Sequence, residues 1–193
     1  MSKDWRDISY LKTGNPRQRR VYDLLQEHRI LEELQDFDRA VVSTICVGFD
    51  IPTSDIDIIC CAPNLCELET VLRECYGQHE CFSLRYRPPK GDSLVCSFWL
   101  EEFEIEIFGS LEPIECQHAY RHLGVMDRLA FLGGISLQED IRQLKKSGLK
   151  TEPAIAKYLQ LPGNPYEAVL ALERVGDRNL LELIQRNARS AHF

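Results

Sequence analysis

Two aspartates one residue apart open an apolar run in Ser54-Asp55-Ile56-Asp57-Ile58-Ile59-Cys60, whose β-branched composition is that of a buried strand. Residues two apart on a strand share a face. This spacing therefore sets the carboxylates of Asp55 and Asp57 side by side, roughly 7 Å apart at the backbone, and sends Ile56 and Ile58 to the core. A second acidic alternation follows in Phe103-Glu104-Ile105-Glu106-Ile107-Phe108, with Glu104 and Glu106 on one face and isoleucines on the other. Each segment taken alone also describes a solvent-facing strand. Paired as neighbours, they bring Glu106 or Glu104 within cross-strand reach of the two aspartates, and three converging carboxylates repel one another unless a divalent cation neutralises them. An all-oxygen donor set favours magnesium or manganese over zinc.

The elements that must position these acids are legible from periodicity. Val21, Leu24, Leu25, Leu31 and Leu34 recur at helical spacing between Pro16 and Phe37, with Asn15 as N-cap and Pro16 at the first helical position. Arg39 to Thr44 reads as a short strand, and Ser54 to Cys60 as the acidic one. Asn64 to Gly77 predicts a second helix, capped by Asn64 and presenting Leu65, Leu68, Val71, Leu72 and Cys75. Strands follow at about Glu80 to Arg87, Ser93 to Leu100 and Phe103 to Phe108. After Pro113 the spacing turns helical, over Glu115 to Leu132, Leu137 to Lys146, Pro153 to Leu161, Tyr166 to Glu173 and Arg178 to Ala188, with breaks at Gly133-Gly134, Gly148, Pro162-Gly163 and Gly176. The expectation is an α+β (α/β) protein: a sheet-containing core over residues 1–112 with flanking helices, and a helical region over 113–193.

Composition narrows the function classes. With 193 residues, 44% apolar and 27% charged, the chain is long enough for a core and unlike collagen or a disordered tract. Thirty acidic against 23 basic side chains give a net charge of -7, which disfavours nucleic acid held by counterion release. The longest apolar run, Ile56 to Ala62, is interrupted by Asp57 and stopped by Pro63, far short of the about 20 residues that cross a bilayer. Met1-Ser2-Lys3-Asp4-Trp5-Arg6 carries early charges and no apolar signal core, so a cytoplasmic protein is expected. No CxxC pair occurs, and Cys60, Cys61, Cys66, Cys75, Cys81 and Cys96 read as reduced, small core residues.

The run from Ser43 to Ile58 resembles the signature of the polymerase-beta-like nucleotidyltransferase superfamily: a Gly-Ser pair, a Gly four residues after that Ser, and Ser-Asp-x-Asp opening an apolar strand. Thr44, Gly48, Ser54, Asp55 and Asp57 fall at those offsets, and Glu106 matches the third carboxylate from a later strand. From about Tyr22 to Leu172 the chain also resembles a small, uncharacterised bacterial family of nucleotidyltransferase-like proteins, through Asp50-Ile51-Pro52-Thr53-Ser54-Asp55-Ile56-Asp57, Glu106-Ile107-Phe108-Gly109, Gln117-His118-Ala119-Tyr120-Arg121-His122 and Lys150-Thr151-Glu152-Pro153. The resemblance implies a mixed-sheet nucleotidyltransferase-like core in which Asp55, Asp57 and Glu106 hold magnesium. It implies transfer of a nucleoside monophosphate from a nucleoside triphosphate to a hydroxyl acceptor, with Ser43, Thr44, Gly48 and Ser54 cradling phosphate.

The chain departs from the superfamily pattern in two respects. Ser43 replaces the Gly of the Gly-Ser pair, and Ile45, Cys46 and Val47 stand where many members carry a basic residue. These departures keep open an alternative, a catalytically weak or inactive nucleotide-binding or regulatory module of the same fold. Arg121 and Lys150 are the cations expected to reach phosphate from the helical half. His118 and His122 share a helical face but lack a glutamate between them, so they read as a surface or core-edge pair. Arg17, Arg19 and Arg20 read as a solvated helix start.

Overall fold

A computed structural model describes residues 3–87 and 91–188, and the chain divides into two compact units, Met1–Cys46 with Thr53–Tyr120 and Val47–Pro52 with Arg121–Phe193. The first unit is built on five strands: β1 (Asp38–Val41), β2 (Ile56–Cys61), β3 (Glu80–Tyr86), β4 (Ser93–Leu100) and β5 (Phe103–Ser110). They form one mixed sheet in the order β1-β2-β5-β4-β3. Neighbours are antiparallel except β2 and β5, which run parallel. A parallel pair needs a crossover, and here α3 (Leu65–Tyr76), β3 and β4 supply it.

The predicted caps of α3 are present. The Asn64 side chain accepts the Cys66 N–H, and Gly77 closes the helix by donating to the Arg73 carbonyl. Its apolar stripe covers one sheet face, where Tyr76 stacks on Phe98 with ring centroids 4.6 Å apart. At Gly109 the helix comes so near that an added Cβ would collide with the Leu68 side chain. That face is dry: Ile56, Ile58, Cys60, Ile105, Ile107, Leu94, Cys96 and Phe98 are all fully buried.

The helix predicted from Pro16 to Phe37 is interrupted. α1 spans Pro16–Glu27, Arg29 adopts a left-handed conformation (φ 52°), and a short α2 follows at Ile30–Glu33. Gln26-Glu27-His28-Arg29 places a full polar turn where a continuous helix needs a core contact. The break lets Ile30, instead of Leu31, enter the core, where its carbonyl accepts the Tyr76 hydroxyl. The strand expected at Arg39 to Thr44 is β1, which ends earlier, because Thr44 begins a single 3-10 turn through Val47. β5 continues to Ser110, since the parallel register with β2 runs on through Cys60–Gly109 and Cys61–Ser110.

The second unit is helical. α4 (His118–Lys146) runs into it from the first and breaks at Gly134, whose backbone is non-helical. α5 (Thr151–Leu159), α6 (Pro165–Ala171) and α7 (Asp177–Ala188) follow. Arg128 ties this unit together through Asp177 and the Leu172, Glu173 and Val175 carbonyls. Among the described residues no helix is long and apolar enough to cross a membrane.

All eight cysteines are free, but the core assignment needs correcting. Cys60 and Cys96 are buried, whereas Cys66 and Cys81 are exposed and Cys61 and Cys75 half-buried. Cys66 sits on the first turn of α3, away from its buried stripe, and Cys81 lies in a bulge with φ 56°.

Candidate functional site

The two acidic strands are direct neighbours, and the parallel register places Asp57 opposite Glu106. Residues opposite each other share a sheet face, so both carboxylates stand on the side away from α3. Asp55 lies just ahead of β2 and, two residues from Asp57, opens the same row. Glu104 is opposite Trp99 and exposed, whereas Glu106 is half-buried between Asp57 and Ser97. Glu106 is thus the third acid that the fold brings to Asp57.

The electrostatics reflect this crowding. Burial pushes the Glu106 carboxyl above the ordinary glutamate range, and the negative charge of Asp55 pushes it further. Arg87, just past the end of β3, and Arg85, within it, oppose the rise. Among the described residues no three His, Cys, Asp or Glu side chains are drawn together tightly enough to hold a metal ion. Asp57 and Glu106 share a face and a register, Asp55 lies just ahead of β2, and the three side chains offer only oxygen donors, the type suited to magnesium.

The turn before β2 is held from within. Ser43 is completely buried, and its hydroxyl donates to the Asp55 carbonyl at 2.7 Å while accepting the Ile45 N–H at 3.3 Å. The residue expected at phosphate thus has its hydroxyl committed to the backbone of the acidic segment. Thr44 is half-buried at the start of the 3-10 turn. Ile45, Cys46 and Val47 point into the protein, and burial raises the Cys46 thiol to about 11.

Arg17 and Gln18 hold the same turn from outside, which corrects the reading of the helix start as merely solvated. Arg17 donates to the Ser54 carbonyl at 3.0 Å and lies over the Phe103 ring. Gln18 donates to the Ile45 carbonyl at 2.9 Å and closes a capping box with Asn15. Arg20 pairs with Glu102 at 3.0 Å and with Glu101. The signal for these roles was the capping box itself, which fixes where α1 begins and hence which side chains meet the turn.

Gly48, Arg121 and Lys150 belong to the second unit. Gly48 has φ 75°, a conformation that favours glycine, and a Cβ there would press on Gln138. Arg121 forms an ion pair with Glu173 at 2.6 Å. Lys150 is exposed at the N-cap of α5. His118 is exposed, and His122 is buried with Nε2 3.0 Å from the Tyr166 carbonyl and Nδ1 3.4 Å from Glu152. Such an arrangement fits a structural histidine.

No curated protein and no solved structure matches the chain. A family match extends over residues 23–172 and so takes in both acidic strands, the turn before them and most of the helical unit. By that match the chain belongs to the family described as a domain of unknown function, DUF4269.

Proposed function

We propose that the protein is a magnesium-dependent nucleotidyltransferase that moves a nucleoside monophosphate from a nucleoside triphosphate to a hydroxyl acceptor. The observation that carries this reading is the register of Asp57 with Glu106 across a parallel pair, with Asp55 two residues before Asp57, just ahead of the strand. The likeness of the Ser43–Ile58 stretch to the polymerase-beta-like signature adds to it. Asp55, Asp57 and Glu106 would hold magnesium or manganese, which supplies neutralisation of the triphosphate charge and acidification of the acceptor hydroxyl.

The chain's own part follows from the residues. Glu106, whose proton affinity is raised by burial and by Asp55, takes the acceptor's proton on a carboxylate oxygen. The freed oxygen forms a bond to the α-phosphorus, the bond from that phosphorus to the bridging oxygen breaks, and pyrophosphate leaves with the electron pair. Ser43, Arg17 and Gln18 keep the turn before β2 in place, so that Asp55 and Asp57 are presented in fixed register. Within the same reading Thr44 and Ser54, in the unit that carries the acids, contact the triphosphate.

A second reading, a nucleotide-binding module with little or no turnover, is favoured by the burial of Ser43, which withdraws its hydroxyl from the phosphate turn, and by the buried Ile45, Cys46 and Val47, which offer no basic side chain there. The test is thermal stabilisation by magnesium with each of the four nucleoside triphosphates, against Asp55→Asn with Asp57→Asn. Ligand at about 100 times its Kd adds about 2.7 kcal/mol. Stabilisation that depends on the aspartates supports both readings, and pyrophosphate release with a cell extract as acceptor source selects the transferase. Absence of any magnesium-dependent shift in the wild type overturns both.

A further inference from the structure

The face that carries the acids extends, strand by strand, to a basic edge. From the register, one row across it reads Asp57, Glu106, Ser97, Ser83, and the next reads Ile59, Phe108, Val95, Arg85. A third row ends at Arg87, whose N–H donates to the Ser93 carbonyl. The side of the sheet is fixed by contacts: the Tyr86 hydroxyl donates to Glu69 of α3 at 2.8 Å, so its neighbours Arg85 and Arg87 project from the opposite face, and the Arg87 guanidinium lies 5.1 Å from the Phe108 ring. Phe108 is two residues beyond Glu106 on the same strand face.

These arginines differ from most of their kind here. Arg6, Arg20, Arg73, Arg121 and Arg128 each lie within 4 Å of a carboxylate, whereas Arg87 rests on an aromatic ring and Arg85 is exposed beside it. Both act on the charge of Glu106, which stands two strands away, about 10 Å by strand spacing. A guanidinium pair with hydroxyls on the adjacent row is the donor set that recognises a phosphate group. On an acidic body that is otherwise repulsive to anions, such a pair supplies the local attraction that the buried turn before β2 does not.

We propose that Arg85 and Arg87, with the hydroxyls of Ser83 and Ser97, form a cradle for a phosphate group on the sheet face beside the acidic pair. The phosphate is either part of the nucleoside triphosphate or a group carried by the acceptor, and this role in the reaction rests on the nucleotidyltransferase reading. Anion capture itself does not depend on it.

Inorganic pyrophosphate in a chelator is the first probe, followed by calorimetry and the fluorescence of Trp99, which is 42% exposed on the same face, against buried Trp5. The wild type binds pyrophosphate. Arg85→Gln weakens binding about tenfold, and Arg85→Gln with Arg87→Gln about a hundredfold, as expected for lost charge-assisted hydrogen bonds. Asp55→Asn with Asp57→Asn keeps or improves binding, because it removes repulsion. Arg85→Gln serves alone should loss of the Arg87–Phe108 contact unfold the double variant. A wild type that ignores pyrophosphate, or an affinity unmoved by Arg85→Gln, overturns the cradle.

A non-hydrolysable nucleoside triphosphate with magnesium separates the sources: a matching loss in the arginine variants assigns the cradle to the nucleotide, and an unchanged affinity assigns it to the acceptor. If pyrophosphate binds and magnesium nucleotide does not, the cradle stands and the transferase reading falls.

Discussion

Replacing Ser43 by alanine separates a hydroxyl that serves a ligand from one that serves the fold. The side chain is fully buried, donates to the Asp55 carbonyl at 2.7 Å and accepts the Ile45 N–H at 3.3 Å. Alanine removes both bonds and adds no bulk. A buried polar group left without its partner costs about 1–3 kcal/mol. The Asp55 carbonyl lies where burial is partial and water replaces part of what is lost, while the Ile45 N–H is deeper, so the expected total is about 1–3 kcal/mol. At about 2–4 °C per kcal/mol for a chain of this size, Tm falls by about 2–12 °C. Urea and thermal unfolding followed by circular dichroism measure the loss, and magnesium nucleotide affinity is measured on the folded variant. A stability change below about 0.5 kcal/mol, the range of an ordinary surface substitution, together with a tenfold loss of nucleotide affinity would refute the reasoning, since the hydroxyl would then face ligand.

Two more outcomes follow from the first unit. Gly109→Ala drives a methyl group into Leu68 beneath α3 and costs about 1–3 kcal/mol by overpacking. With Leu68→Ala present the added loss is smaller, so a urea titration of the double variant that shows simple additivity sinks this account. Glu106→Gln, in chelator, acts through pH. The folded carboxyl of Glu106 binds its proton more tightly than the unfolded one, so between the two pKa values the native state holds more protons and stability falls as pH rises. The glutamine variant therefore gains stability over wild type near pH 7, and the gain vanishes as pH drops below the ordinary glutamate value of 4.5. A gain independent of pH in paired unfolding curves contradicts the assignment.

Period and punctuation carried most of the elements. The alternation in Phe103 to Phe108 gave a strand with one apolar face, and the caps at Asn15, Asn64 and Gly77 lie where their residue types place them. Periodicity did not show the break at Arg29, because Leu31 and Ile30 are adjacent and only the packed structure decides which one the core accepts. The acids were visible as two alternating segments, yet their meeting rests on strand order, which local spacing does not encode. The choice of Glu106 over Glu104 is likewise a matter of register. Arg85 and Arg87 passed unremarked because a strand's alternate basic residues look like ordinary solvent-facing positions until the neighbours on the sheet are known.

The parallel pairing of β2 with β5 has a consequence for synthesis and assembly. Everything from α3 through β4 must be made and folded back before Glu106 can settle beside Asp57, whereas the antiparallel partners β3, β4 and β5 are joined by short connections and meet early. A nascent chain on the ribosome thus exposes its aspartates well before it can complete the constellation. Any proteolytic fragment ending short of β5 would carry both aspartates without the glutamate that the sheet sets opposite Asp57.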